Sequence, residues 1–125
     1  MFTASMHEEA VFPFPKLESD LDVGLASHME DAEYLDHLDA FLSDITERFQ
    51  AQIIIYVAGS DPFVDDPLGS FRISREGMRE RDRRVARYAR QHGAALVALT
   101  AGGYSESSPA VTADGYLEMM GVLGS

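Results

Sequence analysis

The sequence predicts an α/β domain with a parallel sheet and flanking helices. Two uncharged apolar runs, Ile53 to Val57 and Ala94 to Thr100, carry the first part of that prediction. β-Branched and aromatic residues without charge read as strands of a parallel sheet, buried on both faces. The order of patterns along the chain carries the second part: strand, loop, strand, helix, strand, helix, strand, helix. With right-handed crossovers, that order yields a parallel sheet with helices packed on it.

The first element is extended. Phe2 to Met6 has no helix cap and no preceding turn, so the chain opens inside a strand. Val11-Phe12-Pro13-Phe14-Pro15 follows, and its two prolines rule out a helix and hold an aromatic loop extended. Leu17 to Leu25 is acidic, and Leu21, Val23 and Leu25 alternate as in a short strand. From Asp31 to Gln50 the period becomes helical. Tyr34, Leu38, Phe41, Leu42, Ile45 and Phe49 form one stripe opposite an acidic face.

The strand at 53–57 stops at Ala58-Gly59-Ser60 and presents Asp61. A loop from Pro62 to Gly69 leads to Ser74, a good N-cap for a helix running to about His92, which Gly93 ends. The strand at 94–100 leads into Gly102-Gly103-Tyr104. Ser107 and Ser108 then precede Pro109, a cap-then-proline start for the last helix.

Composition narrows the function classes. At 125 residues and 46% hydrophobic, the chain reads as a single globular domain, 1–125. It has no cysteine, hence no disulfide framework and no thiolate metal site. No apolar run is long enough to span a bilayer and no leader pattern is visible, so the expected location is cytoplasmic and no membrane partner is expected. A net charge of −11 argues against nucleic acid, although eight arginines fall between residues 72 and 90. Glu76, Glu80 and Asp82 are interleaved with them, which predicts a solvated, internally paired helix face.

Chemistry concentrates at the two strand ends. Ligands of open α/β sheets bind beyond the carboxyl ends of strands. Asp61 there reads either as a turn-forming aspartate or as a metal-ligand carboxylate on a rigid strand end. Tyr104 reads either as loop packing or, with Asp61, as part of an active site at the strand ends. Gly102-Gly103 also suits a phosphate cradle in a small nucleotide-binding protein, but the loop lacks the spacing of either glycine-rich phosphate motif. His7, His28, His37 and His92 form no local cluster, whereas a zinc site needs about three protein ligands.

The motifs read together resemble a known family. Ser5-Met6-His7, Phe12-Pro13-Phe14, Asp31-x-x-Tyr34-Leu35, Ala58-Gly59-Ser60-Asp61, Asp66-Pro67-Leu68-Gly69 and Gly102-Gly103-Tyr104 occur in the order seen in zinc-dependent histone deacetylases and their bacterial and class IV-like relatives. The resemblance spans essentially the whole chain but only the C-terminal part of that family's domain. It implies an arginase/deacetylase-type fold, in part, and hydrolysis of acetyl-lysine or a similar acetylated amine. It further implies that Asp61 is one of three zinc ligands and that Tyr104 hydrogen-bonds the substrate carbonyl. Phe12, Leu68 and Gly103 would line the acyl tunnel, and Ser5 with the Met6 carbonyl would belong to a potassium site.

The family's His-His pair and D-x-H motif are absent from this sequence. The expectation is therefore a truncated piece that is inactive alone. The rival expectation is a non-catalytic interaction module that complements a separate N-terminal half or self-associates through open sheet edges.

Overall fold

A computed structural model describes residues 1–11 and 13–125. Phe12, expected in the tunnel wall, lies outside the described residues. The elements run β1 (Ala4–Glu8), β2 (Leu21–Leu25), α1 (Asp31–Arg48), β3 (Ile53–Ala58), α2 (Arg75–Gln91), β4 (Ala95–Thr100) and α3 (Ser108–Leu123). This is the predicted order, and every strand pairing is parallel.

The strands do not form one continuous ladder. β1 pairs with β2, from Ala4 opposite Leu21 to Glu8 opposite Leu25. β3 pairs with β4, from Ile53 opposite Ala95 to Ala58 opposite Thr100. The 59–74 connection makes isolated parallel bridges at Glu30–Arg72 and Phe63–Ile73, outside both sheets. The core draws mainly on α1, this connection and α2. Leu25, Met29, Tyr34, Leu35, Leu38, Phe63, Phe71, Ile73, Met78, Val85 and Val111 are buried together, and Tyr56 and Leu96 pack onto them from the second sheet.

The expectation that β3 is buried on both faces is corrected. Ile53, Ile55 and Val57 are each 63% exposed, while Val97 and Leu99 of β4 are 45% and 46% exposed. Only the alternate residues face inward. An apolar run reports that both faces suit burial; it does not report whether this chain covers both.

Helix α2 starts as predicted, with the Ser74 hydroxyl accepting from the Gly77 amide at 3.0 Å. The Ser74 amide and hydroxyl also donate to the Asp31 carboxylate at the start of α1, which locks the two helix starts together. Gly93, at φ 63°, ends α2 in the left-handed conformation that favours glycine. The start of α3 differs from expectation. Ser107 makes no capping hydrogen bond, and the Ser108 hydroxyl pairs with Ser60 instead.

The arginine run is paired as foreseen. Arg83 and Arg84 bridge to Glu80, and Arg79 to Glu76. Pairs also cross to α3, Arg75 and Arg79 to Asp114 and Arg83 to Glu118, and Arg84 reaches Asp39 on α1. One part of the run is not a solvated face. Arg81 and Asp82 are buried at 6% and 3% exposure. Arg81 Nε and Nη2 both meet Asp82 Oδ1 at 2.8 Å, and the Tyr56 hydroxyl donates to the same oxygen at 2.6 Å.

Candidate functional site

β3 and β4 end side by side, so the loops that follow them are neighbours from the start. The Ser60 amide donates to the Gly102 carbonyl at 2.6 Å, tying the two strand ends. Ser60 is buried, and its hydroxyl shares a hydrogen bond of 2.6 Å with Ser108 Oγ at the head of α3. Gly103 sits directly against that pair. Its φ is 148°, and a Cβ there would overlap Ser60 Oγ and Ser108 Oγ, so both backbone and space demand glycine.

Asp61 follows Ser60 and is exposed as a residue, yet its carboxylate folds back over the strand ends. A Cβ at Gly59 would lie 2.5 Å from Asp61 Oδ1, and one at Gly102 3.0 Å from it. The glycines on either side of Asp61 are thus what let its carboxylate lie there. Burial pushes the Asp61 carboxyl above its ordinary value; its own backbone amide and Arg81 oppose the rise, and the nearby Asp66 and Glu8 carboxylates add to it.

Asp66 joins the two loops. It is 6% exposed, and its Oδ1 accepts from the Leu68 and Gly69 amides, each at 2.9 Å. Its Oδ2 accepts from the Tyr104 amide at 2.8 Å. One carboxylate therefore fixes the turn after Asp61 and the backbone of Tyr104. The Tyr104 side chain itself is 62% exposed, and Leu68 is 63% exposed.

Two further charges brace the site from behind. Glu8, at the carboxyl end of β1, is buried and accepts from Ser27 Oγ at 2.6 Å, the Ser70 amide at 3.1 Å and Ser70 Oγ. Burial pushes the Glu8 carboxyl up, but the Ser27 and Ser70 hydrogen bonds, helped by His28, outweigh it and leave the group below its ordinary value. Arg81 Nη1 donates to the Gly59 carbonyl at 2.6 Å, two residues before Asp61. Burial by itself would lower the guanidinium, but Tyr56, Asp82 and Tyr34 hold it above its ordinary value, so it stays charged.

Asp61, Leu68, Gly103 and Tyr104 thus belong to one loop cluster at the ends of β3 and β4. Ser5 and Met6 lie in β1, on the other sheet. The Ser5 hydroxyl pairs with His7 Nδ1 at 2.7 Å, and Met6 packs against the core.

A family model of the histone deacetylase domain matches residues 1–120. The chain belongs to the histone deacetylase family. "Histone deacetylase 2" of Arabidopsis thaliana is 38% identical over 117 residues, which are 91% of this chain and 30% of that protein. An uncharacterized protein of Picosynechococcus sp. is 35% identical over 107 residues, 86% of this chain and 36% of the relative. The crystal structure of an HDAC homologue from Aquifex aeolicus superposes on 98% of this chain and 35% of its own, with a TM-score of 0.78 at 24% identity. Acetylpolyamine aminohydrolase from Burkholderia pseudomallei superposes with a TM-score of 0.75 at 17% identity, over 96% of this chain and 37% of its own. At these identities the two structures establish the fold. The chain spans about a third of the length of the curated relatives it matches.

Against a zinc centre, the donor set of this histone deacetylase segment is incomplete. Among the described residues no three His, Cys, Asp or Glu side chains stand together as a metal-holding group. Asp61 offers one carboxylate where about three protein ligands are needed, so these residues do not fit a zinc ion by themselves. The buried residues Ser60, Asp66, Glu8 and Arg81 complete the site's support, and sequence reading assigned a role to none of them. Asp66 stood inside a family motif; nothing local marked Glu8 or Arg81 as its companions.

Proposed function

We propose that this chain is the C-terminal part of a zinc-dependent deacetylase and acts on acetyl-lysine or a similar acetylated amine. In the complete domain Asp61 would be one of the residues holding the metal, and the Tyr104 hydroxyl would be the donor to the substrate carbonyl. Leu68 and Gly103 line the acyl channel; Phe12, assigned to the same channel, lies outside the described residues. Ser5 Oγ and the Met6 carbonyl contribute to a potassium site. The observation that carries this reading is the bracing of Asp61 and Tyr104. A carboxylate and a phenol leave adjacent parallel strand ends, and one buried aspartate, Asp66, fixes both loops.

Zinc, when bound, polarises a carbonyl and lowers the pKa of its water. What this chain supplies is placement. The Asp66 hydrogen bond holds the Tyr104 backbone from which the phenol projects, and a positioned donor at an oxyanion is worth about 10²–10³ in rate. Ser60 and Gly103 pack the loop behind it. With one metal ligand and no general base beside it among the described residues, the chain alone does not turn over.

The purified chain tests this directly. It should hold well below one zinc per molecule and release no acetate from an acetyl-lysine peptide; stoichiometric zinc with turnover would overturn the claim of inactivity. The same assay in the presence of the remaining domain should recover turnover, and Tyr104→Phe should then lower it about 10²-fold or more. A second reading, an interaction module without chemistry, is favoured by the open apolar face of β3 and β4. It predicts a complex without turnover.

A further inference from the structure

We propose that the groove between the C-terminal halves of α1 and α2 is a binding site for a phosphate monoester. Both walls are helices of this chain and no strand lines the groove, so it stands apart from the loops that carry Asp61 and Tyr104. Tyr88 is about 21 Å along α2 from Ser74, the end that meets those loops, at roughly 1.5 Å per residue.

The walls are two facing stripes. Asp39, Leu42, Ser43 and Thr46 recur at the three- and four-residue spacing of one α1 face. Arg84, Arg87, Tyr88 and Gln91 repeat that spacing on α2, and His92 closes the end. The recess between them holds about 390 Å³, within the roughly 300–1,000 Å³ of small-molecule sites. Leu42 packs against the core at its base, and every other wall residue except Asp39 can donate a hydrogen bond.

The charge of the recess favours an anion. Arg75, Arg79, Arg83 and Arg84 each hold a carboxylate at 3.1 Å or closer. Arg87 does not. Its one carboxylate among the described residues is Glu80, at 3.4 Å. The Glu80 oxygen it meets already accepts from Arg84 Nε at 2.9 Å, and the other oxygen serves Arg83. The Arg87 side chain is 49% exposed, so its remaining donors open onto the recess. Asp39 is the only acid in the walls, and Arg84 pairs with it at 2.9 Å. In a chain of net charge −11, this recess is left with a cation.

The polar groups favour phosphate over carboxylate. The Thr46 hydroxyl gives its hydrogen to the Leu42 carbonyl at 3.0 Å. Its contacts to the Tyr88 hydroxyl and His92 Nε2 are longer, at 3.3 and 3.4 Å, and a stronger acceptor would displace them. Donors therefore converge from both helices. A phosphate ester presents three acceptor oxygens and can meet both walls at once, whereas a planar carboxylate offers one edge. The Tyr88 and His92 rings, 4.3 Å apart, form a flat wall for the organic part of the ester.

Titration of the 125-residue chain with inorganic phosphate, followed by amide NMR, tests the site. Sodium chloride at about 0.15 M screens diffuse attraction beyond about 8 Å. One phosphate should bind with a Kd below about 1 mM and shift the amides of Ser43, Thr46, Arg87 and His92. Arg87→Gln should weaken binding about tenfold or more. Arg79→Gln removes the same charge from the same helix at a paired position, and should leave the affinity within about twofold. Ribose 5-phosphate and adenosine 5′-monophosphate should shift the same amides, and adenosine should shift none. Tighter binding of the nucleotide would assign the ring wall to a base; equal binding would leave the phosphate as the recognised group. Equal weakening by the two arginine variants, no saturation, or shifts centred on the Gly102–Ser108 loop would overturn the proposal. So would adenosine binding as tightly as its monophosphate.

Discussion

The Asp66 carboxylate accepts from three backbone amides, at Leu68, Gly69 and Tyr104. An amide side chain there would offer one oxygen instead of two and turn a donor toward one of those amides. Asp66→Asn should therefore lower stability by about 1–3 kcal/mol, read as the urea midpoint, and should broaden the Tyr104 amide resonance. An unchanged midpoint would remove Asp66 from its bracing role. Glu8 allows a pH test. Its folded pKa lies below the ordinary 4.5, so its stabilisation is present above that value and is lost as pH falls through the lower folded value. The advantage of the native chain over Glu8→Gln should be full at pH 7 and shrink on acidification. Asp61 runs the other way. Its folded pKa is raised, so the carboxylate form opposes folding once pH rises past the ordinary 3.8. Asp61→Asn should raise the melting temperature at pH 7, with the gain fading toward pH 4.

At the scale of elements, α2 is the hub. It carries the ion pairs to α1 and α3 on its outer side and the Arg81–Asp82 pair on its inner side. The outer pairs contribute little each, as exposed pairs do. The inner pair is different, because removing one member leaves a buried charge. Arg81→Met should cost about 3–5 kcal/mol, and the denaturant midpoint would record it. Packing on α3 accommodates this pair. A Cβ at Gly115 would overlap Asp82 Oδ2, so a helix residue of poor propensity is required there. Gly115→Ala should destabilise by about 1–3 kcal/mol, against a propensity gain of about 1 kcal/mol. A more stable Gly115→Ala would show that the Asp82 carboxylate can move. In the sequence, Glu80 and Arg84 were legible as a pair because four residues of helix separate them. Arg81 and Asp82 were not. Adjacent helix positions do not face each other, and only burial against Tyr56 turns both to one side.

For the molecule as a whole, the element order was legible from periodicity and punctuation, and Ser74 and Gly93 bounded α2 where the structure has it. The strand-end residues were legible because glycines flank them. The bracing was not, since Arg81 meets Gly59 and Glu8 meets Ser70 across 22 and 62 residues of chain. Nor did the apolar run at β3 disclose that one of its faces stands open. The division into two separate sheets has one more consequence, for cooperativity. Among the described residues no strand ladder joins β1–β2 to β3–β4; the core and the Glu8–Ser70 hydrogen bonds tie the first sheet to the rest. A backbone ladder breaks strand by strand, but side-chain rivets let go together. The β1–β2 sheet should therefore detach as a unit, at a lower opening free energy than the centre of α2. Native-state hydrogen exchange in low denaturant would show the amides of Met6 to Glu8 and Val23 to Leu25 merging into one isotherm below that of Val85, Ala86 and Ala89. A single isotherm for all of them would mean that the rivets hold as firmly as a ladder.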